Sequence, residues 1–232
     1  MGLILLRDPA VVGGLSERRT RTSLPACLKR RATHLPGLWC YWRDNAAVEW
    51  AYWAGDAAPT LDAHFHGEDQ VTLVLSGSRR FEVDGQAFHI GAGQCLQIPA
   101  GVPHRSLPHI HEGTACLNLY IPGAQPQATA LAGFDPIADI AARDALSREG
   151  FTRKFARQFG MPPHAYRLAS RLNEARQRLR EEDSIAGIAA ELGFADQSHL
   201  GRHFRRVFGI SPRAYRDGAR VTNVPDARAR SL

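Results

Sequence analysis

The chain has little lysine, little cysteine and no long apolar run. Only two of its 232 residues are lysine, although lysine and arginine together number 29. No stretch approaches the ~20 apolar residues of a membrane span or the apolar segment of a signal peptide. The four cysteines form no C-x-x-C pair, which argues against a disulfide framework or a cysteine-based zinc site. We therefore expect a soluble, cytoplasmic protein with reduced thiols and no membrane partner.

The composition is that of an ordinary globular protein, and its charge is unevenly distributed. Apolar residues make up 44% of the chain and charged residues 22%. Residues 1–134 hold 11 basic and 11 acidic side chains, whereas residues 135–232 hold 18 basic and 12 acidic ones. A length of 232 residues favours two domains. The charge division predicts that a neutral domain handles something small while a basic domain meets a polyanion.

The basic half contains an internal repeat. Residues 151–167 and 200–216 agree at nine of 17 positions with a constant offset of 49. Just upstream, residues 137–142 match residues 185–190 at an offset of 48. A repeat of this kind indicates a duplicated supersecondary unit.

Each copy has the pattern of a short helix, a tight turn and a second helix. In the second copy Ser184 and Asp196 stand at N-cap positions, and Gly193 supplies a left-handed turn residue. The second helix has an inward apolar stripe of Leu200, Phe204 and Val207. Its outward positions are Gln197, Ser198, Gly201, Arg202 and Arg205. The pattern predicts a helix-turn-helix with an exposed recognition face.

The first copy repeats this pattern, and a longer helix joins the two copies. Ala145 marks the turn, Ser147 the N-cap, and Phe151 and Phe155 the inward face. Residues 163–182 then predict a single amphipathic helix. About 18 residues at ~1.5 Å each span ~27 Å, near the ~34 Å of one DNA turn. The two recognition helices can therefore enter successive major grooves on one face of a duplex.

Residues 184–216 resemble, nearly position for position, the second helix-turn-helix of AraC/XylS-type transcriptional regulators, and residues 137–183 resemble the first with its connecting helix. The resemblance implies binding to double-stranded promoter DNA, contact with the transcription machinery, a small-molecule effector and a homodimer as a further partner. The base-contacting positions that it implies are Glu149, Thr152, Arg153, Gln197, Ser198, His199, Gly201 and Arg202. We assign phosphate contacts to Arg157, Arg167, Arg205, Arg206 and Arg216.

The neutral half has a strand pattern. From residue 48 to residue 121, short alternating runs such as VEWAYWA and QVTLVLS are separated by turn residues. Gly77-Ser78 and Asp84-Gly85 predict two-residue hairpins. Strands at this spacing predict an antiparallel barrel or double sheet.

Three histidines lie on this pattern. Period-two geometry puts His64 and His66 on one strand face, and a paired strand can bring His104 beside them. Their spacing, with Gly93-x5-Pro99-x-Gly101-x2 before His104, resembles the two signature motifs of cupin barrels. Three imidazoles can bind a divalent transition metal such as zinc, iron, nickel or manganese.

The site differs from the common cupin pattern, and an alternative ligand stays open. Gln70 stands where metal-binding cupins commonly have glutamate, and Pro108 where asparagine is usual, so we expect reduced metal affinity. The histidines can instead hydrogen-bond an organic effector. In that case Trp50, Phe65 and Gln70 are the predicted lining residues, with Tyr52 and Trp53 as further lining or core aromatics. A weaker metal candidate is His109-x-His111-Glu112 with Cys116 nearby, expected in a loop.

The predicted fold class is α+β multidomain, with an N-terminal cupin-like antiparallel β-barrel and a C-terminal all-α domain carrying two helix-turn-helix motifs joined by a long helix. The predicted divisions are an extension (1–37), a sensor barrel (38–122), a linker (123–134), the DNA-binding domain (135–217) and a tail (218–232).

The predicted function is sequence-specific transcriptional regulation, with a barrel that senses a small molecule or metal, and not enzymatic activity. The alternative is a metal-dependent cupin dioxygenase or isomerase with an appended DNA-binding module. That chemistry needs a carboxylate ligand or base, which Gln70 does not supply.

Overall fold

The computed structural model of the chain describes residues 4–6, 37, 39–43, 48–58, 60–123, 131, 135–181 and 183–219. Up to residue 123 the described elements are antiparallel strands, and from residue 137 onward they are helices. The strands are β1 (Ile4–Leu6), β2 (Cys40–Arg43), β3 (Glu49–Ala58), β4 (Leu61–His64), β5 (Glu68–Ser76), β6 (Ser78–Val83), β7 (Gln86–Gly91), β8 (Cys95–Ile98), β9 (His104–Leu107) and β10 (His109–Pro122).

The strands form two antiparallel sheets that enclose a common interior. Their orders are β1-β8-β5-β10-β3-β2 and β4-β9-β6-β7. Alternate side chains face inward, so that β5 buries Gln70, Thr72 and Val74 while the residues between them are half-buried. The interior contains an apolar cluster that includes Val74 and Phe81, one from each sheet. The predicted cupin-like antiparallel barrel is confirmed.

One of the two predicted hairpin turns forms as expected. Asp84 and Gly85 have φ angles of 47° and 75° and join β6 to β7. Gly77 instead connects strands of different sheets, and its Cα lies so close to Thr114 that a side chain there would collide with it. The prediction of a hairpin at Gly77-Ser78 is wrong because the chain crosses from one sheet to the other at that point.

The second histidine group lies on a strand rather than in a loop. His109, His111 and Glu112 belong to the first residues of β10, which continues past an irregularity in register between Ile110 and Thr114. Cys116, farther along β10, is buried and accepts a hydrogen bond from Arg79. The expectation of a loop is therefore corrected, because β10 pairs with β3 on both sides of the irregularity.

The second half of the described chain forms six helices. They are α1 (Ile137–Arg143), α2 (Arg148–Phe159), α3 (Pro163–Arg180), α4 (Ile185–Glu191), α5 (Gln197–Phe208) and α6 (Pro212–Ala219). The oxygens of Ser147, Ser184 and Asp196 accept backbone N–H groups in the first turns of α2, α4 and α5. The predicted pair of helix-turn-helix units, joined by the long helix α3, is confirmed.

The strand and helical regions share their apolar cores. One cluster joins Tyr41, Trp53 and Tyr120 of the barrel to Phe208 of α5 and Tyr215 of α6. Hydrogen bonds also cross the boundary between the regions. The Tyr41 hydroxyl donates to the carbonyl of Phe208 at 2.9 Å.

Part of the predicted organisation lies outside the described residues. This holds for residues 1–3 and 7–36 of the predicted extension, for 124–130 and 132–134 of the predicted linker, and for 220–232 of the predicted tail. Ile4–Leu6 pairs with β8 at the sheet edge. Within the described part of the chain, no helix has the length and apolar character needed to span a membrane.

Candidate functional site

Three histidines meet inside the barrel. The pairing of β4 with β9 places His64 opposite His104, and His66 follows two residues after His64. The ring centroids lie 4.5 Å apart for His64 and His104, 4.7 Å for His64 and His66, and 5.1 Å for His66 and His104. All three side chains are buried. The structure therefore brings together the three histidines that the strand pattern placed near one another.

Backbone carbonyls orient two of the three rings. The carbonyl of Asp62 lies 2.6 Å from Nδ1 of His64, and that of Val102 lies 2.9 Å from Nδ1 of His104. A carbonyl only accepts, so each Nδ1 carries the proton and each Nε2 keeps a lone pair. Nε2 of His104 is buried and has no hydrogen-bond partner among the described residues.

Burial keeps the three imidazoles neutral. Loss of hydration lowers the pKa of His104 to about 4. Burial also lowers the pKa of His64 and His66 well below the usual range, and the neighbouring histidines and Arg176 lower both further. At pH 7 the site therefore presents uncharged rings, the form in which histidine binds metal ions.

The cavity beside the rings is small and polar. Its volume is about 10 Å³, roughly the space that holds one water molecule. Apart from the three histidines, its polar lining comprises Gln70, Arg79, Ser106, Asn118 and the two tyrosines Tyr41 and Tyr120. Gln70 donates to the Thr72 hydroxyl at 2.9 Å, so its amide is held in place by the strand that carries it.

Two predicted lining residues lie elsewhere. Trp50 faces away from the interior and stacks on Trp42, with ring centroids 6.1 Å apart. Phe65, which lies between two inward histidines, packs instead against Tyr166 of α3 at 4.7 Å. The expectation that Trp50 and Phe65 line the cavity is therefore corrected, since alternate residues of an extended chain point to opposite sides.

The donor set fits a transition-metal ion. The ligand nitrogens of His64, His66 and His104 all lie within 4.8 Å of one another. Nε2 of His64 and Nε2 of His66 are 3.2 Å apart, close to the ~3.4 Å expected for two nitrogens bound to one tetrahedral zinc. Together with the unpartnered Nε2 of His104, the spacing of these nitrogens suits three imidazole ligands and one open position.

A second surface is formed by the outward faces of the two recognition helices, α2 and α5. Arg153 is exposed on α2, and Gln197, Ser198, Arg202 and Arg205 are exposed on α5, whereas Thr152 is half-buried. His199 is also half-buried. Its Nδ1 accepts the N–H of Ala195 at 3.2 Å, and its Nε2 lies 2.9 Å from Nε2 of His203.

Both recognition helices end against the barrel. Gly160 caps α2, and a Cβ at this position would lie 3.1 Å from Pro103, the residue before His104. Gly209 caps α5 and sits directly against the Trp39 ring. Both glycines have left-handed backbones, with φ of 72° and 73°. The histidine-bearing barrel therefore contacts the C-terminal end of each recognition helix.

The comparisons with known proteins agree with this architecture. A family model described as a helix-turn-helix domain matches residues 140–218, and one described as a cupin domain matches residues 48–117. The search of curated proteins finds no match. A solved transcriptional regulator from Chromobacterium violaceum, described as AraC-type DNA-binding domain-containing, is 36% identical. The match covers 36% of this chain and 75% of that one, with a TM-score of 0.34.

The chain belongs to the AraC family of transcriptional regulators. The apo form of a ToxT variant from Vibrio cholerae strain SCE256 shares the fold, with a TM-score of 0.50 at 10% identity over 75% of this chain and 98% of that one. ToxT with a bound unsaturated fatty acid has a TM-score of 0.48 at 11% identity over 77% and 98% of the two chains.

In this AraC-family protein a buried ionic network joins the barrel to the helices. It consists of Glu49 and Glu68 from the barrel, Arg176 and Arg180 from α3, and Tyr215 from α6, called here the interface network. Arg176 donates to both carboxylates, through Nε to Glu49 at 3.1 Å and through Nη1 to Glu68 at 3.1 Å. Arg180 also donates to both, at 2.9 Å each. Tyr215 donates to Glu49.

The interface network was not predicted from the sequence, although two signals pointed to it. Arg176 lies on the apolar stripe of α3, between the buried Ala175 and Leu179. Glu49 occupies an inward position of β3, on the same face of the strand as Ala51 and Trp53. A charge on each inward surface indicates a buried pair, because an unpaired buried charge is strongly unfavourable.

Proposed function

We propose that this AraC-family protein is a DNA-binding transcriptional regulator whose barrel binds a divalent transition-metal ion as its effector. The main support for this proposal is that both recognition helices end against the histidine-bearing barrel while their outward faces stay exposed. A change in the barrel can therefore alter how the two helices are presented to DNA. Such a ligand acts by binding two arrangements of the chain with unequal affinity.

We assign base recognition mainly to residues of α5. Gln197 and Arg202 carry the side-chain types that pair with adenine and guanine edges, and Ser198 can bond either a base or a phosphate. Arg205 faces the same side and suits a phosphate. His199 is assigned a lesser role, because both of its ring nitrogens already have partners. On α2 the corresponding residues are Thr152 and Arg153.

Replacing Arg202 with alanine is expected to weaken binding to a specific site by about 1–3 kcal/mol and to relax base preference at one position. The specific site is first obtained by selection from random DNA, and affinity is then measured by fluorescence anisotropy at fixed salt. Arg105→Ala, which removes an exposed arginine of the barrel, is the matched control and should leave affinity unchanged. Unaltered base preference in Arg202→Ala would remove Arg202 from base recognition.

For the effector, cavity size favours an ion. Organic ligands usually occupy pockets of about 300–1,000 Å³, whereas the space beside the histidines is about 10 Å³. Neutral imidazoles with carbonyl-oriented rings are suited to a cation of the zinc type. The same volume disfavours the cupin-enzyme alternative, because a substrate needs room beside the ion.

The full chain is expected to bind one Co(II), used as a spectroscopic probe of the site, and to lose that binding in His104→Ala. Removal of a direct ligand should cost more than the roughly 10–100-fold that is lost when a residue hydrogen-bonded to a ligand is removed. His111→Ala, which removes an exposed histidine, is the control. Visible absorption and elemental analysis give affinity and stoichiometry. If His104→Ala bound Co(II) as tightly as the unmodified chain, the proposed metal site would be contradicted. Turnover of a substrate by the Co(II)-loaded protein would favour the alternative of a cupin enzyme.

A further inference from the structure

We propose that Arg176 couples metal binding in the barrel to the docking of the helices, because coordination by all three histidines is incompatible with the contact between Arg176 and His66. This inference rests on the metal site proposed above and concerns its regulation. It predicts that an occupied site loosens the interface network and that the network, in turn, weakens metal binding. The incompatibility originates in the direction of the hydrogen bonds at His66.

His66 holds its proton on a different nitrogen from the other two histidines. Nη1 of Arg176 lies 3.4 Å from Nδ1 of His66. A guanidinium has donors only, so Nδ1 of His66 accepts and the ring proton is on Nε2. That Nε2–H points to Nε2 of His64, which is an acceptor, at 3.2 Å. Two rings are therefore ready to bind an ion through Nε2, and His66 is not.

Either mode of coordination by His66 breaks its contact with Arg176. To bind through Nε2, His66 must give up the proton there and carry one on Nδ1, with no change in the ring's charge. Nδ1–H and the Nη1–H of Arg176 would then face each other as two donors. To bind through Nδ1, the ion would take the position that Arg176 now occupies. Both cases also place a cation beside a buried guanidinium.

Arg176 is packed so tightly that it cannot withdraw alone. Its side chain is 1% exposed and lies over the Tyr120 ring at 4.3 Å and the Phe208 ring at 5.4 Å. Phe208 is the last residue of the recognition helix α5, and its ring lies 5.9 Å from that of His66. A displaced Arg176 therefore disturbs α3 and the barrel-facing end of α5 together.

Charged groups from the barrel and from α3 surround Arg176. Glu49 and Glu68 face Arg176 from the barrel, and Arg180 lies one helical turn farther along α3. Arg180 contacts the same two carboxylates and acts on His66 through its charge, but no hydrogen bond between Arg180 and His66 is present among the described residues. This makes Arg180 a control for the effect of charge alone.

The first experiment compares the Co(II) affinity of the unmodified chain with the affinities of Arg176→Met and Arg180→Met. Because coupling is reciprocal, Arg176→Met should bind Co(II) about tenfold more tightly, the effect of removing one charged hydrogen bond. Arg180→Met should change affinity by only a few-fold, since it alters charge without freeing Nδ1. A damaged barrel would bind Co(II) more weakly, so mere structural loss gives the opposite sign. Equal affinities in the two variants would overturn the coupling.

The second experiment needs no substitution at Arg176, so it tests the coupling even if Arg176→Met fails to fold. Hydrogen exchange of α3 and β3 is measured in the unmodified chain with and without Co(II), with His104→Ala as the negative control. Faster exchange in these segments on Co(II) binding supports the coupling. Co(II) binding with unchanged exchange would overturn the coupling and leave the metal site standing. Absence of Co(II) binding would overturn both.

Discussion

Replacing Glu49 with alanine is expected to lower the free energy of unfolding by about 3–5 kcal/mol, the usual cost of removing one partner of a buried ion pair. Glu49 is 1% exposed and accepts from Arg176, Arg180 and Tyr215. Without it, Arg176 would remain buried beside a single carboxylate, that of Glu68. Chemical denaturation followed by circular dichroism measures the change.

An exposed pair provides the comparison for Glu49. Glu82 and Arg105 lie 2.6 Å apart, but their side chains are 34% and 48% exposed. Because water and salt screen such pairs, Glu82→Ala should cost at most about 1 kcal/mol. A similar small loss for Glu49→Ala would show that the interface network does not hold the two regions together.

The metal-free protein is expected to lose stability as pH falls from about 6.5 to about 4. In the unfolded chain His104 takes up a proton near its ordinary pKa of 6.5, whereas in the folded chain burial lowers its pKa to about 4. The unfolded state thus binds more protons in this window, and stability decreases with decreasing pH. At about 1.4 kcal/mol per pH unit, His104 alone accounts for about 3 kcal/mol. The pKa values of His64 and His66 are lowered as well and act in the same direction.

Denaturant midpoints at pH 7 and pH 5, measured with a chelator present, test this expectation. His104→Asn should show a smaller difference between the two pH values, because it removes one of the groups that resist protonation. His111→Asn changes an exposed histidine and should keep the original difference. The same pH dependence in His104→Asn and the unmodified chain would contradict the assignment.

Local chemistry made the helix caps and one of the two hairpin turns predictable. Ser147, Ser184 and Asp196 accept the backbone N–H groups that the capping pattern required, and Asp84-Gly85 adopts the backbone of a tight hairpin. Each of these features depends on a few neighbouring residues. The meeting of the three histidines was predictable for a related reason, since period two and a cupin-like spacing fix both their face and their approach.

Features that depend on distant parts of the chain were not predictable. VEWAYWA is apolar on both strand faces, so the pattern alone does not decide that Trp53 is buried while Trp50 lies on the other side, stacked on Trp42. Phe65 is covered by α3, an element about a hundred residues away in the sequence. The pairing of Glu49 with Arg176 joins residues 127 positions apart. A charge on an apolar face indicates that it has a buried partner, but no nearby residue identifies which partner that is.

The glycine caps have a consequence for the operator. Gly160 rests on Pro103 and Gly209 on Trp39, so the barrel forms a common platform for the ends of α2 and α5. In the proposed complex with DNA, the distance between the two half-sites is then set by the platform as well as by the length of α3. An operator with one base pair inserted between its half-sites could be matched only by releasing one helix from the platform.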